Sequence, residues 1–436
     1  MAAQTTGREL VLETLLLITR DGEYSHIALK NVLDKYQYLE KKERAFITRV
    51  VDGTLEHMIE LDYIINQFSK VKVNKMKPVI RTILRSAVYQ MKYMDSVPDS
   101  AVCNESVKLA VKKGFVNLKG FVNGVLRNIS RNLSGLSYPD KADTVAYLSV
   151  MYSLPEWLVK QWIRAYDADT VEMMGREFLK EKPVTIRCNT DRSTPEELKK
   201  SLEEEGVTVH EVPGLPYAFY IEGYDYLARL KSFQDGWFYI QDVSSMQVAE
   251  WAAPEKGSYV IDVCAAPGGK ALHLAEKLEG TGHVVACDLT EYKVDLIEEN
   301  IARSALSNIE AVCRDATVED ADSVEKADIV IADLPCSGLG VLGKKPDLKY
   351  KMTPKMQEEL ASLQRQILSV VHRYVKPGGR LVYSTCTVNR AENEENASWF
   401  AEAYPQFKLM REQQMLPGRD GGDGFYIAMF QKEIYE

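Results

Sequence analysis

The chain is expected to be multidomain: an all-helical front end, a small α+β module, and then a doubly wound, mostly parallel α/β domain. Three observations lead there. The first 135 or so residues place apolar side chains only at helical spacing, with no run that alternates like a strand. From Gly257 onward, strand-like runs alternate with helical ones. The 436 residues, 45% of them hydrophobic, exceed what one core usually organises and leave enough apolar surface for two or three.

Residues 1–135 form the helical domain, with helices in ELVLETLLLITR, AFITRVVDGTLEHMIELDYIINQF, VIRTILRSAVYQM and FVNGVLRNI. In the third, Ile80, Leu84, Ala87, Val88 and Met91 share a face suited to burial, while Lys77, Arg81 and Arg85 recur every fourth residue as a basic stripe. Pro98 breaks the chain before the next helix, and Gly120 with Gly124 permits a close helix contact or an irregular turn. The stretch from Ser134 to Asp140 reads as a linker.

Residues 143–235 are expected to supply linker helices and a small α+β module of ferredoxin-like type. Ser153-Leu154-Pro155-Glu156 opens a helix running to Tyr166, and Val184, Thr185 and Ile186 suit a strand. Thr194-Pro195-Glu196-Glu197 is a capping box with proline at the first helical position, followed by the strands VTVHEV and AFYIEG. Residues 236–436 form the α/β domain, whose strands are SYVIDV, HVVACD, IEAVCRD, ADIVIAD and GGRLVYSTC. Ligands of such sheets bind outside the carboxyl ends of the strands. The loop Cys264-Ala265-Ala266-Pro267-Gly268-Gly269-Lys270, Asp288, Asp315, Asp333 with Cys336, and Cys386 all fall there and should line one crevice.

Net charge is -9, but residues 1–140 carry 21 basic against 15 acidic side chains, and 71–131 hold 12 against 3. That asymmetry suits a nucleic-acid-facing module, and a solvated helical face accounts for it equally well. Residues 341–380 form a second basic stretch, with 9 basic and 3 acidic side chains, that includes Lys344, Lys345 and Lys349. Seven cysteines without a CxxC pair or a histidine cluster argue against a disulfide framework and a zinc site, leaving reduced thiols for chemistry. No leader pattern and no run of membrane-spanning length is present, so a cytoplasmic, metal-free monomer away from the membrane is expected.

The glycine loop lacks GxGxxG and is a poor pyrophosphate cradle. Asp288 follows its glycines by about twenty residues, where a carboxylate accepts both ribose hydroxyls of an adenosyl cofactor, S-adenosyl-L-methionine or a nicotinamide dinucleotide. Singly, such carboxylates are as often helix caps. The cysteines narrow the chemistry. Carbon 5 of cytosine is a poor nucleophile, and adding a thiolate to carbon 6 makes the ring enamine-like and able to attack a sulfonium methyl group. One cysteine opens that reaction and a second helps to close it. For Cys287 and Cys313 packing is the better reading, and Cys103 and Cys188 are expected to be inert.

CAAPGGK, the Asp-Leu-Pro-Cys-Ser-Gly of residues 333–338 and Ser384-Thr385-Cys386-Thr387, in that order, resemble the NOP2/Sun family of RNA cytosine-carbon-5 methyltransferases. The likeness spans at least residues 183–433, including FYIQD at 238–242 and DGFY at 423–426, and the front end resembles the NusB-like RNA-binding fold. The resemblance implies a Rossmann-like catalytic domain, S-adenosyl-L-methionine bound by residues 264–270, Asp288, Asp315 and Asp333, Cys386 as nucleophile, and Cys336 assisting product release. Asp333 is also expected to orient the base or the methionyl amine. The pairing with a NusB-like domain implies 16S ribosomal RNA as the partner, and the basic residues Lys77, Arg81, Arg85, Lys344 and Lys345, read from charge and spacing, are expected to face its phosphates. Transfer RNA or large-subunit RNA, or a non-catalytic RNA-binding assembly factor, are the alternatives, and the intact cysteine pair disfavours the last. Leu334 stands where proline or alanine is usual and is expected to narrow the base pocket. Ala271 replaces a common threonine.

Overall fold

The computed structural model describes residues 6–36 and 38–434. The chain divides into two compact units: the described residues up to Lys180 together with Leu342–Lys351, and Glu181–Val341 together with the described residues from Met352 onward.

The first unit is helical, as the apolar spacing requires. Its central helix, Pro78–Tyr93, begins with proline where no backbone donor is needed and packs against helices Gly7–Thr19, Lys41–Glu56, Met58–Phe68, Asp99–Lys112 and Lys119–Asn132. Being covered on nearly every side, it buries Ile80, Leu84, Ala87, Val88 and Met91, and Arg85 as well. Its close approach to helix Lys41–Glu56 depends on Gly53, where a Cβ would lie 2.0 Å from the Tyr89 ring. Gly120 and Gly124 have no such duty: both lie inside helix Lys119–Asn132, and a Cβ at either would meet nothing within 4 Å.

The break between the compact units falls after Lys180, and the stretch Ser134–Asp140 lies within the first unit. Helices Thr144–Met151, Glu156–Ala165 and Ala168–Phe178 belong to the helical unit because the first packs on helix Met58–Phe68 and Ser153 Oγ accepts the Glu60 backbone N–H at 3.1 Å. The segment Leu342–Lys351 is likewise tied into this unit. The Asp347 carboxylate accepts from the Ser25 backbone N–H at 3.1 Å and the Ser25 hydroxyl at 2.5 Å, and Lys349 Nζ donates to the Glu56 carbonyl at 2.8 Å.

The second unit holds two sheets. The smaller consists of β1 (Val184–Cys188), β2 (Thr208–Val212), β3 (Leu215–Glu222) and β4 (Phe238–Ile240) in the order β2-β3-β1-β4, all antiparallel. Helix Pro195–Glu204 begins with the expected capping box at Thr194 and Glu197, and packs Leu198 and Leu202 against Ile186 and Cys188.

The larger sheet contains β5 (Tyr259–Asp262), β6 (His283–Asp288), β7 (Ile309–Cys313), β8 (Ala327–Asp333), β9 (Val375–Thr385), β10 (Phe407–Met415) and β11 (Phe425–Lys432), in the order β10-β11-β9-β8-β5-β6-β7. From β9 to β7 the strands run parallel, and the near-continuous apolar character of β5, β6 and β8 reflects burial on both faces. The hairpin β10–β11 pairs antiparallel onto β9, an addition that the helix-strand alternation does not reveal. Successive strands step outward from β5 through β6 to β7, and then from β8 on the other side. The switch point therefore lies between β5 and β8, the place at the carboxyl ends where ligands of such sheets bind.

Candidate active site at the carboxyl edge of the sheet

The strand ends of β5, β6, β8 and β9 deliver the functional groups. At β6, Asp288 is buried and its carboxylate is already oriented: Oδ2 accepts the Ala266 N–H at 3.0 Å, and Oδ1 accepts the Leu289 N–H at 2.8 Å and Lys293 Nζ at 2.9 Å. This locks the turn Cys264–Lys270 onto the end of β6. Gly268 there has φ of 104°, a left-handed conformation that starts helix Gly269–Lys277 at no steric cost. Asp315 sits apart from this packing. It is exposed and caps its own turn through the Thr317 N–H at 2.8 Å and hydroxyl at 2.7 Å.

Asp262, at the end of β5, is a site residue that the motifs alone did not single out. It is fully buried, its Oδ2 has no hydrogen-bond partner, and burial followed by the neighbouring Asp333 charge raises its pKa to about 7. A carboxylate ending the strand immediately before the glycine loop was the available signal. Its neighbour Lys270 donates to Asp333 Oδ2 at 2.6 Å, while Ser384 Oγ donates to Asp333 Oδ1 at 2.7 Å. Burial opposes the Lys270 charge, but Asp333, Asp262 and Cys386 outweigh it and raise its pKa. By Coulomb reciprocity, Lys270 stabilises negative charge on the Cys386 sulfur.

Cys336, three residues beyond β8, and Cys386, directly after β9, face each other with their sulfurs 3.3 Å apart. The hydrogen bond with Cys386, then burial, pushes the Cys336 thiol well above its ordinary pKa, which favours its protonated form. The two loops are pinned together by Ser337 Oγ and Thr387 Oγ1 at 2.7 Å, and by the Gly340 N–H donating to the Cys386 carbonyl at 3.1 Å. Only glycine fits position 340, since a Cβ would stand 1.9 Å from the Gly424 carbonyl oxygen. Leu334 is buried in the cluster that includes Val263, Ala332 and Ile367.

The other cysteines divide by position. Cys264 lines the glycine loop, and burial together with Asp262 raises its pKa, which keeps it protonated. Cys103, Cys188 and Cys287 are buried, but Cys313 is exposed at the end of the edge strand β7, not packed as expected. Among the described residues, no trio of His, Cys, Asp or Glu is arranged to hold a metal, and no helix is long and apolar enough to cross a membrane.

The basic residues are not one surface. Lys77 is exposed and Arg81 half-buried, but Arg85 turns into the helical unit and forks onto Asp62, with Nε and Nη2 each 2.6 Å from a carboxylate oxygen. Other cations of residues 71–131 are also paired outside that segment: Lys92 with Glu60, Lys112 with Glu9, and Lys113 with Glu13. Lys344 and Lys345 are exposed, whereas Lys349 is buried, and burial lowers its pKa to about 7.

A sheet of this order, with a glycine turn after β5 and an oriented carboxylate ending β6, defines a Rossmann-like methyltransferase domain. The family model "16S rRNA methyltransferase RsmB/F" matches residues 249–431, the NusB family model matches 5–131, and the ferredoxin-like domain model of RsmF/B methyltransferases matches 154–225. The "Probable ribosomal RNA small subunit methyltransferase B" of Bacillus subtilis (strain 168) is 37% identical, over 99% of both chains. The protein of Salmonella enteritidis PT4 named "Ribosomal RNA small subunit methyltransferase B" is 29% identical over 99% of this chain and 100% of its own. The crystal structure of PH0851 superposes with a TM-score of 0.84 at 25% identity, covering 99% of this chain and 100% of that one. NSun6 from Pyrococcus horikoshii shares the fold over 65% of this chain and 99% of its own, with a TM-score of 0.59 at 23% identity. The chain belongs to the RsmB/F methyltransferase family, with a NusB domain ahead of a ferredoxin-like module and the catalytic domain.

Proposed function

We propose that the protein methylates carbon 5 of one cytosine in 16S ribosomal RNA through a covalent bond between that base and Cys386. The observation that carries this reading is the pair of sulfurs 3.3 Å apart, delivered by two adjacent strand ends beside the Lys270 cation. A methyltransferase acting on oxygen or nitrogen needs no such pair. The ribosomal target is supported by the family and by the names of the full-length relatives.

The residues present fit S-adenosyl-L-methionine. Asp288, held by two backbone donors and Lys293, suits the ribose hydroxyls. The buried carboxylates Asp262 and Asp333 suit a cationic ligand, Asp262 with an oxygen still unpartnered. When bound, this cofactor supplies an electrophilic methyl group to the activated carbon 5.

The protein's own groups do the rest. An unpaired or flipped cytosine presents its ring to the thiols. The Cys386 thiolate forms a bond to carbon 6, stabilised beforehand by Lys270. After methyl transfer the carbon-5 proton passes to a base, water in the simplest case. The double bond reforms, and the carbon–sulfur bond breaks to return Cys386 as a thiolate. Cys336, protonated beside it, assists this departure. Bisulfite mapping of 16S RNA from a strain lacking the gene tests the proposal. One cytosine should lose its protection, and retention of every protected position would overturn it.

A further inference from the structure

Two consecutive residues outside the motifs hold the two sulfur-bearing loops, one loop each. Glu392 ends the short turn Arg390–Glu392 and Asn393 precedes helix Glu394–Ala403; neither has any exposed surface. Glu392 Oε2 accepts the Ser337 N–H at 2.8 Å and Gln364 Nε2 at 3.2 Å, and Oε1 accepts the Ser337 hydroxyl at 2.6 Å and Asn389 Nδ2 at 2.9 Å. Gln364 Nε2 also donates to the Pro335 carbonyl at 2.8 Å. Cys336 is thus fixed from both flanks. Asn393 does the same around Cys386: its Oδ1 accepts the Thr385 hydroxyl at 2.5 Å, and its Nδ2 donates to the Thr387 carbonyl at 3.0 Å and to Gln414 Oε1 at 2.6 Å.

A buried carboxylate is costly unless its oxygens are satisfied, and here three of the four donors on Glu392 come from Ser337 and from Gln364, which also holds the Pro335 carbonyl, while Asn389 closes the local turn. We infer that Glu392 and Asn393 are positioning residues with divided tasks, Glu392 setting Cys336 for release of the intermediate and Asn393 setting Cys386 for attack on carbon 6. This rests on the covalent mechanism proposed above. Small displacements of a reacting group cost large factors in rate, so the two tasks should separate experimentally.

The test uses the full chain, labelled 16S RNA and S-adenosylmethionine, with adducts read on denaturing gels and cofactor affinity by calorimetry. In Glu392→Gln, an amide nitrogen must face either the Ser337 N–H or the donors at the other oxygen, so the Cys336 bracket opens. The adduct should rise about tenfold while product formation falls about tenfold. In Asn393→Ala, adduct and product should both fall by about tenfold or more. Cofactor affinity should stay unchanged in both, which a collapsed domain would not allow. Should either variant lose cofactor binding, the smaller changes Ser337→Ala and Thr385→Val read the same two directions. Adduct levels moving the same way on both sides, with cofactor affinity intact, would overturn the division. Failure of Cys386→Ala to abolish the adduct would instead sink the assignment of Cys386 as the nucleophile, on which this division rests.

Discussion

The crevice at the carboxyl edge of the large sheet and the basic face of the helical unit were each marked by a cluster of residues in the sequence, yet only the first cluster is assembled in space. Cys336 and Cys386 lie 50 residues apart and meet at 3.3 Å because neighbouring parallel strands end side by side. Arg81 and Arg85 lie on one helix that Lys77 directly precedes, and the three still part company, because Arg85 meets Asp62 of another helix. Topology carries strand-end residues to a common edge whatever their separation. A charge count cannot see the partner that cancels it.

The largest test of that contrast falls on the two sulfurs. Cys386→Ala should abolish both methylated RNA and any protein–RNA adduct, since the thiolate that opens the reaction is gone. Cys336→Ala should let the bond form and impair its breakdown, so a denaturant-stable complex accumulates with cofactor present. The double variant should lose it again. An adduct in Cys386→Ala that vanishes in Cys336→Ala would exchange the roles.

Next in size is the cofactor end. Asp288→Ala removes an acceptor whose orientation three donors already fix, and should weaken S-adenosylmethionine binding about ten- to a hundredfold with RNA affinity nearly unchanged. Calorimetry with both ligands measures this. Asp315, exposed and engaged with Thr317, provides the comparison: Asp315→Ala should cost less than Asp288→Ala, and an equal loss would mean that the exposed turn closes on the cofactor.

Legibility follows the same division. The parallel core, the capping box at Thr194 and the order of the site motifs were readable because each depends on local pattern or strand order. Asp262 escaped because a carboxylate at a strand end looks the same whether its oxygens are capped or left bare. Glu392 and Asn393 escaped because charged and amide residues opening a helix look like ordinary capping groups until the fold brings Ser337, from the loop after β8, and Thr385, at the end of β9, against them. The hairpin β10–β11 was missed because FKLMREQQM has no clean alternation, one of its strands lying at the sheet edge.

Arg85 then supplies a test on the helical side. Removing it leaves Asp62 partly buried without its partner, which should lower stability by about 2 kcal/mol once the exposure of the Asp62 side chain, 27%, is allowed for. Thermal unfolding of Arg85→Ala should therefore shift clearly, and the loss should be recovered in part by Asp62→Asn. An RNA-binding defect with unchanged stability would restore Arg85 to a phosphate-contacting role.

The smallest effect is expected from Lys77→Ala combined with Arg81→Ala, the exposed and half-exposed remnants of the stripe. If these cations face RNA phosphates, each releases about one counterion on binding, so the slope of log affinity against log salt should fall by about one to two. Affinity itself should drop only a few fold at moderate salt, uniformly across RNA sequences, because phosphate contacts carry no base information. Titrations of 16S RNA fragments at several salt concentrations measure the slope directly. An unchanged slope, with Arg85 already assigned to the core, would leave no RNA contact on this helix and move the search to the remaining cations of residues 71–131, such as Lys119 and Arg131.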